Sequence, residues 1–132
     1  MEQQESNQYW EVFETKVRPL TERQQRIIAY KFCLLAEKDL DDQGKGALKL
    51  VEQLTSDHVS LQDCKSCREQ LQNKLPEEGT SPYSPLIWAL TPHTDTYPAW
   101  YSAAIVGLNI VDLKISTWQK LTDLTEEILN NF

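Results

Sequence analysis

Residues 98–113, PAWYSAAIVGLNIVDL, read as a helix that is apolar on nearly every face. A helix on the surface of a small domain carries one apolar stripe, whereas one that is apolar all round lies inside the fold. A membrane span is excluded, because it needs about 20 apolar residues and this run is shorter, with Asn109 and Asp112 inside it. The rest of the chain must therefore supply the helices that wrap this one. The spacing predicts them, and the expected fold class is an all-α compact single-domain bundle of six or seven helices around a central apolar helix at 98–113.

Tyr9, Trp10, Phe13 and Val17 predict a helix over residues 8–17, ended by Arg18 and Pro19. Thr21 to Gln24 form a capping-box pattern that opens a helix running to about Leu40, with Ile27, Ile28, Cys33, Leu34 and Leu35 on its apolar side. Residues 41–46 are expected to be a loop, followed by a helix over 47–54. Ser60 to Asp63 predict a second cap, opening a helix with Leu61, Cys64, Leu71 and Leu75 on one side. Residues 76–85, PEEGTSPYSP, predict a loop, and Ser84-Pro85 the start of a short helix through Leu90. A second loop over 91–97 leads to Pro98 in the first turn of the central helix. Ser116 to Gln119 predict a third capping box, with Trp118, Leu121, Leu124, Ile128 and Leu129 as the inward stripe of the last helix. With four glycines and six prolines, the turn punctuation of a sandwich or barrel is missing.

Charge narrows the partners. The chain carries 13 basic and 20 acidic side chains, and residues 75–132 hold only Lys114 and Lys120 against seven acids. Phosphate backbones are bound by clustered Lys and Arg, so nucleic acid is not an expected partner. A protein partner, basic by complement, is the expectation, and self-association stays open. The first residues, MEQQES, have neither the basic region nor the apolar core of a signal peptide. An odd count of three cysteines argues against a disulfide framework, so a reducing, cytoplasmic setting is expected.

Three constellations bear on chemistry. Cys64 and Cys67 form a CxxC, with His58 before it and Cys33 distant. A closed zinc site takes four ligands, usually as two pairs, and a redox CxxC usually opens a helix beside a βαβ unit. Neither pattern is met, so the expectation is no metal and no cofactor, with Cys64 packed against Leu61 and Leu71 and Cys67 on the flank. His93 and Asp95 could work as a general acid–base pair if they faced a cleft, yet no nucleophile motif or glycine run stands near them. Tyr83, Trp88, Tyr97, Trp100 and Tyr101 flank the two loops, and rings with a polar handle suit core rims, pockets and partner surfaces alike. The candidate binding set is thus Tyr83, Trp88, His93, Asp95, Tyr97, Trp100 and Tyr101, with no catalytic residues.

Two patches, IIAYKFCLLAEKDL and LPEEGTSPYSPLIWAL followed by YPAWYSAAIVGLNIVDL, resemble small all-helical bacterial families of unknown function. Toxin-neutralising immunity proteins are counted among such families. The resemblance implies a helical bundle and carries no site residues. The expected function is a non-enzymatic protein-interaction domain, with an immunity-type inhibitor as one form. The alternative is a small-molecule or metal-binding helical domain, enzymes included, built on the aromatic cluster or on His58, Cys64 and Cys67.

Overall fold

A computed structural model describes residues 2–56, 60–91 and 96–132. His58, His93 and Asp95 lie outside the described residues. The described residues form seven α-helices, α1 (Glu2–Val12), α2 (Glu22–Leu34), α3 (Asp42–Leu54), α4 (Leu61–Gln72), α5 (Tyr83–Ala89), α6 (Ala99–Asp112) and α7 (Trp118–Asn130). The all-α bundle is as expected, and no strand occurs among the described residues. No helix among them is long and apolar enough to cross a membrane.

The central position of α6 follows from its composition. Eight of its residues are buried, Ala99, Ser102, Ala103, Ala104, Val106, Gly107, Asn109 and Ile110, and α2, α5 and the turn after α1 pack around it. Close approach is possible because small residues face the neighbours. A Cβ on Gly107 would collide with the Tyr9 phenol and lie 3.0 Å from Phe32 Cε2. The same Tyr9 hydroxyl donates to the Ala104 carbonyl at 2.7 Å, tying α1 to α6. Tyr9, Phe13, Phe32 and Trp118 form the aromatic heart of the core, with Tyr9 in ring contact with each of the others. Pro98 stands one residue outside α6 with extended backbone, rather than within its first turn.

The end of α6 is a Schellman turn. Ile115 N–H donates to Ile110 O and Lys114 N–H to Val111 O, which places Lys114 in the left-handed region at φ 60°. A lysine there is strained where glycine is not. Lys114→Gly is therefore expected to raise the unfolding free energy by up to about 1 kcal/mol, less whatever the freer unfolded glycine takes back. A urea midpoint unchanged or lowered would contradict this.

Several boundaries differ from expectation. The first helix begins at Glu2, not residue 8, and its last turn, Phe13–Val17, widens to a π-turn in which Arg18 N–H reaches back to Phe13 O. The Thr21–Gln24 capping box forms in both directions, at 3.1 Å each, but α2 stops at Leu34 and a short 3-10 turn, Glu37–Asp39, follows. Residues 42–46 are helix, not loop. Asp41 is the N-cap of α3, its carboxylate accepting from Gly44 N–H at 2.9 Å, and Gly44 is there because a Cβ would press on Leu40 at 2.9 Å. Ser60 does cap α4, accepting from Asp63 N–H, yet Leu61 is 66% exposed and does not join Cys64 and Leu71 inside. The last cap is Thr117, accepting from Lys120 N–H, rather than Ser116. On α7, Thr122 and Thr125 are buried beside Trp118, Leu121 and Ile128, their hydroxyls donating to carbonyls one turn back.

Candidate functional site

Four of the expected binding residues come together and one does not. Trp88 on α5 meets Tyr97 edge-on at 5.5 Å between centroids, and Tyr97 meets Tyr101 at 6.2 Å. Tyr101 meets Trp100 edge-on at 6.0 Å and Trp10 of α1 at 6.3 Å. The result is a continuous strip of five rings crossing α5, α6 and α1. Tyr97 is 42% exposed, and the other four are partly buried, so each shows a face or an edge to solvent.

The strip is held from beneath. Trp10 touches Tyr9 edge-on at 5.7 Å, so the surface rings continue into the core. Arg18, placed by the π-turn, lies with its guanidinium carbon 5.5 Å from the Trp100 ring centroid, a cation–π geometry. At the other end stands Arg68 of α4, whose Nη1 donates to the Leu90 carbonyl at the close of α5. Both ends of the strip are thus marked by arginine, against the chain's net charge of −7. Trp10, Arg18 and Arg68 were absent from the candidates read in the sequence. Arg18 reads there only as the residue before a proline, and Arg68 carries no signal; nothing local links either to a ring.

Tyr83 stands elsewhere. Its hydroxyl donates to Asp41 Oδ2 at 2.5 Å, joining α5 to the cap of α3, and it makes no ring contact with the strip among the described residues. The Tyr83 hydroxyl and, next, the Gly44 N–H hold the Asp41 carboxyl below the usual aspartate range. A carboxyl whose folded value is depressed contributes stability that is present above its unfolded value and is lost as pH falls through the folded one. Between pH about 5 and 2 the wild type should therefore lose stability faster than Asp41→Asn, which caps without titrating. Parallel urea midpoints across that range would show that the carboxylate contributes nothing to the join.

The cysteines are set apart from the strip. Cys33 and Cys64 are buried and Cys67 is half-buried on the flank of α4. Burial pushes all three thiols up; at Cys64 it outweighs the opposing pull of Arg26 and Arg68, with Asp63 adding to the rise. No group of three metal-ligating side chains occurs among the described residues. Because the thiolate is the nucleophile, iodoacetamide should modify the native protein slowly at pH 7, with half-maximal reactivity above pH about 8.5. A cysteine reacting fast at neutral pH would contradict this environment.

The fold class is a helical bundle, and its most developed surface is an aromatic strip with an arginine at each end. Comparison with family models, curated proteins and solved structures gives no match for the chain. What the arrangement can do rests on its own groups. Indole, phenol and guanidinium offer apolar area, hydrogen-bond donors and π faces, which is binding chemistry.

Proposed function

We propose that the chain is a protein-interaction domain that receives its partner on the strip of Trp10, Trp100, Tyr101, Tyr97 and Trp88. The observation that carries this reading is the continuity of five partly exposed rings over three helices. Trp, Tyr and Arg are the residue types that dominate interface energetics, because they remove much apolar area from water while keeping a polar end. The π-turn that sets Arg18 beside Trp100 supports it, since such turns recur at functional sites.

The acidic balance of the chain then serves steering. Of the acids in residues 75–132, Asp95 is outside the described residues, Glu126 is paired with Lys16 at 2.9 Å, and Asp123 accepts from Gln119. Net charge raises encounter rates with a basic partner in a salt-dependent way. An immunity-type inhibitor of a basic toxin is one form of this reading.

The test is capture and identification of a partner from the native host, followed by affinity measurement on variants. Tyr97→Ala and Trp100→Ala should each weaken the complex by about thirtyfold, the loss expected of hot-spot rings. Neutralising Asp123 and Glu127 should slow association and flatten its salt dependence, with dissociation little changed. Affinity indifferent to both ring variants would remove the strip from the interface.

A further inference from the structure

Where the strip ends at Trp88 and Tyr97, the surface dips into a cleft of about 560 Å³ between α4 and α5. Its apolar wall is Leu75, Ile87, Trp88 and Tyr97, and its polar edge is Arg68, Gln72 and Thr91. Its volume falls within the about 300–1,000 Å³ of small-molecule sites, and it pairs an apolar wall with a few polar groups while opening widely to solvent. Two of the four large apolar side chains exposed among the described residues, Leu75 at 37% and Tyr97 at 42%, line it.

Arg68 decides the chemistry. Among the described residues it is the only charged one of the lining, and it is half-buried. Its bond to Leu90 O fixes the guanidinium through one Nη1 donor, and a guanidinium has five. The ion pairs among the described residues, Lys16–Glu126 and Arg26–Glu22, do not include it. A planar fork held on one side and, among the described residues, without a carboxylate partner is suited to take one from a ligand, in two parallel bonds. The chain's net negative charge does not forbid this. Exposed charges are screened beyond about 8 Å at physiological salt, so distant acids weigh little beside Arg68.

We propose that this cleft binds a small aryl-substituted alkanoate, with the carboxylate on Arg68 and the ring against Trp88 and Tyr97. Gln72 and Thr91 stand at the polar edge, where further oxygens of the ligand would lie. The site goes beyond the interaction surface described above and does not depend on it, since a small ligand can occupy the cleft with or without a protein on the strip.

The test uses 3-phenylpropionate as probe, titrated into the labelled full-length chain and read by amide and side-chain NMR shifts. Saturable shifts confined to Arg68, Trp88, Thr91 and Tyr97 are expected, with a dissociation constant of about 1 mM or tighter. On the same wild-type protein, 3-phenylpropionamide and propionate should each bind at least tenfold more weakly, one lacking the charge and the other the ring. Arg68→Gln should weaken 3-phenylpropionate binding at least tenfold and Arg68→Lys by less, because lysine keeps charge without the fork. No saturable shift at these residues, or equal binding of the amide or of propionate, overturns the proposal. The wild-type comparison needs no variant to fold. Loss of probe binding with ring-dependent partner capture intact would sink this site alone.

Discussion

Gly107→Ala is expected to lower the unfolding free energy by about 2 kcal/mol, although alanine is the better helix former. Propensity alone favours the alanine by about 1 kcal/mol in a helix interior. Sterics opposes it and wins. The new Cβ would collide with the Tyr9 phenol and stand 3.0 Å from Phe32, and Tyr9, Phe32 and Ala104 are all buried, so no side chain can swing into solvent. Overpacking of this kind costs about 1–3 kcal/mol, and the displaced phenol also strains its bond to the Ala104 carbonyl, worth about another 1 kcal/mol. Tyr9→Phe removes the colliding oxygen. The double variant Tyr9→Phe/Gly107→Ala should thus be more stable than the sum of the two single losses predicts. Additivity within about 0.5 kcal/mol would mean that the two sites do not touch.

Phe32→Ala should cost about 3–5 kcal/mol, the range for emptying a fully buried aromatic position. Its ring lies 6.1 Å from Phe13 and 6.5 Å from Tyr9 between centroids, beneath the glycine of α6, so the cavity would open where α1, α2 and α6 meet. A domain of ordinary stability holds about 5–15 kcal/mol, and such a loss takes a large share of it. Phe32→Leu, which keeps most of the volume, should cost under about 1.5 kcal/mol. The measurement is a shift in urea midpoint at unchanged slope. A loss below about 1 kcal/mol for the alanine variant would contradict the position given to this ring.

The parts of the fold that were legible in the sequence share one property: their signal is local. The apolar girth of α6, the Thr21–Gln24 box and the Ser60 cap each sit within a few residues, and the structure contains all three. The misread parts depend on distant partners. Gly44 and Gly46 read as loop punctuation, but Gly44 is a packing residue whose reason, Leu40 on one side and Tyr83 on the other, lies partly 39 residues away in the sequence. Leu61 has the spacing of an inward residue and points outward, because α4 touches the bundle chiefly through α5 and buries little beyond Cys64 and Leu71. For the strip, five aromatic residues were visible near two loops; their order, the loss of Tyr83 to Asp41 and the arrival of Trp10 were not, since α1, α5, α6 and the bend before α6 supply them. Arg68 had no signal at all. Its significance is a guanidinium anchored on the Leu90 carbonyl and without a carboxylate partner among the described residues, which only packing reveals.

The π-turn after α1 has a geometric consequence. In an α-helix a residue four places on overshoots by about 40°, so successive i, i+4 side chains drift around the axis. Tyr9, Phe13 and Val17 are spaced in this way, and all three are 0% exposed. A turn closed five residues back winds less per residue, and so returns the angle that the α-helical stretch before it gained. The extra residue acts as a phase corrector: it keeps Val17 in line with Tyr9 and lets the chain leave the core with Arg18 aimed at Trp100. Removing one exposed residue from the turn would remake a regular helix with Val17 seven places after Tyr9, about 20° from it and on the same face, so the wide turn is where this helix holds an extra residue without moving its core side chains.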